Sequence, residues 1–256
     1  MVEQGVPELE RSMGMEVYAI PSGGIGGRIR EREEDFVVQE ILSDGSLASL
    51  RPRASSWPPQ GGGSFLLCVL VKRGIDTLEA IRRISRALGI PEGLIGFAGL
   101  KDARAITSQF ITVRGLRPER LLGLRLRGIE LYPLRFGREP LGPEHLAGNL
   151  FSVTVRGLGL SKASLVGALD AFREEISALG GIPNFYGHQR FGTARPVSHL
   201  IGRALVKGDV REAVELLLAY VGPGESGRAR EARTYLASTW DLKGFLGKLP
   251  RGLHYE

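Results

Sequence analysis

One apolar run followed at once by an amphipathic one does most to limit what this chain can fold into. FLLCVLVKR, residues 65–73, is a short continuous apolar stretch of strand length and reads as a buried strand. DTLEAIRRISRALGI, residues 76–90, then places Leu78, Ile81, Ile84 and Leu88 on one helical face. Asp76 or Thr77 is suited to cap that helix, and Glu79 sits in its first turn. Around this pair lie further strand-like segments: residues 28–30, FVVQEIL (36–42), LIGFAG, SQFITVRG, IELYPLRF and NLFSVTVRG. SLVGALDAFREEISAL reads as a second long helix, and residues 43–64 carry the Pro, Gly and Ser of a loop. Strand, strand, helix, strands, helix is the order of an α/β (α+β) fold, a mixed sheet with helices on one face.

The texture changes after Pro183. From VSHLIGRALVKGD to DLKGFLGKL the segments read as short helices with no strand, so the expected division is 1–182 and 183–256. A chain of 256 residues that is 43% hydrophobic can bury one large core, or one and a half. No run of eighteen apolar residues occurs and the first residues lack the shape of a signal peptide, which points to the cytoplasm. The single cysteine, Cys68, lies in the apolar run and leaves no disulfide framework. The four histidines are not paired at ligand spacing, and SGGIGG is followed by no helix pattern, so neither a metal nor a cofactor is expected.

Charge points toward a partner. The net charge is +6, and 28 of the 34 basic residues are arginine, whose planar fork suits phosphate contacts and stacks on bases. The rival reading is a solvated basic face.

The loop GFAGLKDARAITSQ, residues 96–109, sets Lys101 and Asp102 between two strand-like segments. A carboxylate at the end of a buried strand can be shielded from water while its backbone is fixed on both sides, as a nucleophile or general base requires. Gly96 and Gly99 allow close approach of backbone or ligand. A plain charged turn explains the same residues locally.

Four segments taken together carry more. GGRIREREEDFVVQEI, GFAGLKDARAITSQF, LAGNLFSVTVR and IPNFYGHQRFGTARPVSHLIGRAL, in this order and at these intervals, resemble the signature segments of the TruD family of tRNA pseudouridine synthases. The resemblance implies a pseudouridine-synthase-type sheet, mixed but mainly antiparallel, over residues 1–182, with 183–256 the beginning of the family's helical inserted domain. It implies that the chain ends within that insertion, so that the chain is a truncated product, or a second polypeptide or self-association completes the sheet, or a shortened version works in some other way. The implied activity is isomerisation of a uridine in tRNA, by resemblance uridine-13, to pseudouridine, with no cofactor and with Asp102 as the catalytic residue.

Roles for other residues follow from the resemblance. Arg30 holds Asp102 ionised, or contacts phosphate, or is a surface charge. Phe151 offers a stacking surface for a flipped base, whereas Phe36, in an alternating strand, reads more readily as core. Asn149 bonds the aspartate loop or the base, or serves the turn beside Gly148. Lys101, Arg104 and Arg190 are candidates for the RNA backbone, each with a solvated charge as the alternative. Thr107 and Gln109 would brace the Asp102 loop, and Gly187, Gln189 and Arg190 would fix a hinge. Other readings fit parts of the pattern: an RNA-binding protein without catalysis or an inactive fragment of such an enzyme, and a small-molecule enzyme using Asp102 as a base.

Overall fold

A computed structural model describes residues 5–52, 57–192, 194–225, 227–250 and 253. Packing gathers the chain into two compact units, Ile25–Ser161 and Met1–Gly24 with Lys162–Glu256.

The first unit holds all the strands of the described residues: β1 (Phe36–Leu42), β2 (Phe65–Arg73), β3 (Ile95–Phe97), β4 (Ile106–Arg114), β5 (Ile129–Gly137) and β6 (Leu146–Val153). They form one sheet in the order β5-β2-β4-β1-β6, with β3 also paired to β4. Among the named strand pairings only β1 with β4 is parallel; the rest are antiparallel, so the mixed, mainly antiparallel sheet is the one expected.

β2 is central because its nine residues, eight of them at least half-buried, can be covered on both faces. On one face Leu66, Cys68 and Leu70 join Ile111 and Val113 of β4 against Ala80, Ile81, Ile84 and Leu88 of the helix α2 (Thr77–Leu88). On the other, Leu67 and Val69 pack with Phe110, Ala48, Ala98 and Leu141. Asp76 caps α2 by accepting from the Glu79 N–H at 2.9 Å, and Gly89, at φ 57°, ends it in the left-handed conformation. Leu78 departs from the expected face and is 45% exposed. The buried stripe is centred on Thr77, Ile81, Ile84 and Leu88, and the 100° step from Thr77 carries Leu78 past its edge.

Residues 28–30 do not form the expected strand. Arg28 makes one isolated antiparallel bridge with Arg156, and Arg30 then turns to φ 59°, which ends any extended run.

The second unit is helical among its described residues: α1 (Glu8–Arg11), α3 (Lys162–Ala178), α4 (Ser198–Val206), α5 (Val210–Ala219), α6 (Gly227–Thr239) and α7 (Leu242–Lys248). Ala232, Leu236, Phe245 and Leu249 make its small core. Asp209 and Asp241 cap α5 and α7. The strand-free texture after Pro183 among the described residues is as the sequence implies, and α3 falls in the same unit as these helices with no residue of its own buried. No helix among the described residues is long and apolar enough to cross a membrane.

Candidate active site

The site forms where two strands part along one edge of β4. β1 pairs with residues 106–108 of that strand and β3 with residues 111–113. Between them the Phe110 N–H is taken by Glu40 Oε2 at 2.8 Å, a side chain standing in for a ladder partner. The connection from β3 to β4 carries Asp102.

That loop is tied down peptide by peptide. Thr77, at the first turn of α2, accepts the Lys101 N–H at 2.9 Å and donates to Gln109 Oε1 at 2.9 Å. Gln109 Nε2 in turn donates to the Gly99 carbonyl at 3.0 Å. Lys72 Nζ donates to the carbonyls of Asp102 at 2.8 Å and Lys101 at 3.2 Å. Lys101 Nζ meets Glu40 Oε1 at 2.7 Å, both side chains all but fully buried. Gly96 lets the Leu141 backbone pass close, since a Cβ there would lie 2.7 Å from the Leu141 carbonyl oxygen. Gly99 carries no such demand; the nearest atoms to a Cβ are ordinary contacts at 3.4 and 3.5 Å.

Asp102 itself is half-buried. Its Oδ1 accepts from Arg30 Nη2 at 2.9 Å, and Oδ2 accepts no protein hydrogen bond among the described residues. The Arg30 guanidinium lies 3.7 Å from the Phe36 ring centroid, and Phe36 meets the Phe151 ring edge-on at 5.9 Å and 66°. Asp102, Arg30, Phe36 and Phe151 are thus linked contact by contact across three separated segments. Phe36 is buried, as its alternating strand implies, in a small cluster with Val38 and Ala105. Phe151 is 54% exposed. Asn149 stands two residues before Phe151 on β6, exposed and in register with Glu40, and no hydrogen bond among the described residues joins it to Asp102.

The segment that delivers Arg30 is closed at its base. Arg28 and Arg156 exchange backbone hydrogen bonds at 2.8 Å each way. Asp35, fully buried, accepts from Arg156 Nε at 2.8 and 2.9 Å, with Nη2 at 2.7 Å, and from the Arg32 N–H at 3.0 Å. The Arg156 hydrogen bonds hold the Asp35 carboxyl below the usual carboxylate range, against the opposing effect of burial. Arg30 emerges from this loop in a left-handed backbone conformation that a side chain rarely adopts, a local strain of order 1 kcal/mol.

The candidate RNA contacts fare differently. Lys101 is a correction: its ammonium is spent on Glu40 inside the protein, so it is no surface cation. Arg104 is exposed, and with Arg30, Arg32 and Glu33 it lines a cleft of about 320 Å³ beside the Asp102 loop. Arg190 belongs to the helical unit, where its guanidinium lies 5.0 Å from the Tyr186 ring centroid. Gln189 sits with it in a short 3₁₀ turn, His188–Arg190, that follows Gly187. Gln109 braces the loop as expected, whereas Thr107 is buried without a hydrogen-bond partner for its hydroxyl. Among the described residues no three His, Cys, Asp or Glu side chains gather as metal ligands would.

Lys72 and Glu40 have no place in the sequence reading, and Thr77 enters it only as a possible helix cap, a place that Asp76 takes. The signal was present in the strand period: Lys72 follows Leu66, Cys68 and Leu70 at steps of two, and Glu40 follows Phe36 and Val38. A charge on an inward-facing position is the mark of a buried polar site.

The family model for tRNA pseudouridine synthase D (TruD) matches residues 12–256. The chain belongs to the TruD family. Similar TruD proteins include one from Methanosarcina barkeri, named "Probable tRNA pseudouridine synthase D", 34% identical over 98% of this chain and 54% of its own length. One of the same name from Methanopyrus kandleri is 43% identical over 80% of this chain and 50% of its own length. A TruD crystal structure from Methanosarcina mazei superimposes with a TM-score of 0.75 at 36% identity, covering 96% of this chain and 53% of that one. The chain therefore spans about half the length of the TruD proteins it matches.

Proposed function

We propose that the chain takes part in converting a uridine of tRNA to pseudouridine, with Asp102 as the nucleophile; the target, uridine-13, follows from the family resemblance. The observation that carries the reading is the clamp on Asp102: Arg30 binds Oδ1, leaving Oδ2 free of donors among the described residues, while the loop backbone is held by Lys72 and Thr77. In the reaction the C1′–N1 glycosidic bond breaks, the uracil turns, C5 bonds to C1′, the C5 proton goes to solvent and N1 takes up a proton. Asp102 Oδ2 attacks C1′ as the uracil departs through N1, and is itself displaced from C1′ as the bond to C5 forms. Arg30 holds the carboxylate in place through its hydrogen bond to Oδ1.

The exposed Phe151 ring is the stacking surface for the extruded base, and Asn149, exposed on the same strand, is placed to hydrogen-bond it. Arg104 contacts RNA phosphate beside the loop, and Arg190 is a second phosphate contact from the helical unit. Residues 183–256 begin an inserted helical domain. β6, an edge strand with Leu150, Phe151 and Val153 exposed, is where a second polypeptide or a second copy would extend the sheet.

Tritium release from tRNA carrying 5-tritiated uridine tests the assignment. The chain should release tritium and Asp102→Asn should not. Release that survives the substitution removes Asp102 from the role, and salt-sensitive binding without release points to a noncatalytic RNA-binding protein or an inactive fragment of such an enzyme instead.

A further inference from the structure

We propose that Lys72 is a positioning residue for Asp102, its buried ammonium fixing the loop backbone that aims the carboxylate. Its Nζ donates to three carbonyls from two places: Ile75, in the turn that enters α2, at 2.7 Å, and Asp102 and Lys101 of the loop at 2.8 and 3.2 Å. An ammonium has three donors, and all three are used inside the protein. The residue is 1% exposed, so it cannot reach a phosphate.

Filling a gap in the sheet face calls for no charge, and an ammonium is costly to desolvate. Burial pulls this amine down to about 8, against the attraction of Asp76 and Asp102 and helped by neighbouring Lys101, which itself faces Glu40. What the ammonium can do that an apolar side chain cannot is hold converging carbonyls. The carbonyls on either side of the Asp102 Cα are the two it holds in the loop, and fixing both sets the direction in which the Asp102 side chain leaves the backbone. The Thr77 hydroxyl holds the adjoining N–H of Lys101, so the loop is gripped through both kinds of backbone group. Arg30 then meets a carboxylate that is already aimed.

The inference rests on the reading of Asp102 as the reacting carboxylate, and its test separates the two. Amide hydrogen exchange in the full chain is compared between wild type and Lys72→Met at residues 99–104, with β4 amides as the internal reference. Loop exchange should accelerate by about tenfold or more while β4 is unchanged. Single-turnover isomerisation should slow by about 100-fold with the tRNA Kd within about twofold, since displacing a reacting group by an ångström costs that much. Lys72→Gln, with two donors, should fall between them, and it carries the comparison if Lys72→Met does not fold. Unchanged loop protection overturns the proposal whether or not the chain is active. So does a rate that stays at the wild-type value, or a Kd that weakens in step with the rate. Activity that survives Asp102→Asn sinks the role of Asp102, and loop exchange still reports what Lys72 holds.

Discussion

Replacing Glu40 with glutamine isolates the Lys101 charge with little other change. Glu40 and Lys101 are 0% and 4% exposed at the side chain and 2.7 Å apart. The glutamine carbonyl can still accept the Phe110 N–H that Glu40 Oε2 now takes at 2.8 Å, so the sheet edge keeps its partner. What is lost is the compensation of a buried ammonium, and breaking such a pair from one side costs about 3–5 kcal/mol. Lys101→Met strands the Glu40 carboxylate and should cost a similar amount. The double variant, Glu40→Gln with Lys101→Met, removes both charges and keeps the Phe110 acceptor, so it should return to within about 1 kcal/mol of wild type. Urea unfolding followed by far-ultraviolet circular dichroism reads all four proteins, with an unchanged m-value as the check that one transition is being compared. The cycle should therefore show a coupling of several kcal/mol. A Glu40→Gln loss below about 0.5 kcal/mol, or a double variant as unstable as the two losses added, would refute the claim that this pair is what makes the charges tolerable.

Two pH responses follow from other buried groups. Lys72 drops from 10.5 to about 8 on folding, so between those values the unfolded chain binds more protons and stability rises with pH; relative to Lys72→Met, the wild type should gain about 3 kcal/mol across that window in chemical unfolding. Isomerisation should fall over the same window as the ammonium that holds the loop loses its charge, and activity that stays flat to pH about 10 contradicts this. Asp35 moves the opposite way on the scale: its lowered value contributes stability that is full above the unfolded value of 3.8 and lost as pH falls through the lower folded one. Arg156→Met, which removes the main cause, should flatten that acid limb in unfolding experiments, and an acid limb as steep as wild type would assign the loss to other carboxylates.

Much of the sheet was legible because its strands obey simple periods. β1, β2 and α2 carry their boundaries in the sequence: an alternating run, a continuous apolar run, and a stripe with Asp76 before it and Gly89 after it. The first-unit cluster was legible only through the family resemblance, since nothing local brings residues 30, 36, 102 and 151 together. Lys101 was misread because a Lys-Asp pair in a loop looks solvated, and its burial depends on Glu40, which is 61 positions earlier and meets it only once β1 and β3 share an edge of β4. Residues 28–30 do not continue as a strand because Arg30 takes a left-handed backbone conformation, and in that conformation its side chain meets Asp102 and Phe36, partners that local sequence does not reveal.

The same topology explains why polar groups are buried where they are. One face of β2 and β4 is apolar where α2 lies along it, at Leu66, Cys68, Leu70, Ile111 and Val113, and turns polar at Lys72, Thr107 and Gln109. The change comes at the first turn of α2 and at the parting of β1 and β3, where an apolar filling would leave the N–H of Phe110 and the loop peptides 99–102 without partners. Side chains must therefore supply the hydrogen bonds that a continuous ladder would have made, and charged ones form the stronger bonds. A loop held in this way has little freedom left, which suits a carboxylate that must meet a reacting atom repeatedly in one geometry. The cost of the buried charges is carried by the apolar half of the same face, so truncating Ile84 there should destabilise the fold without altering the geometry at Asp102.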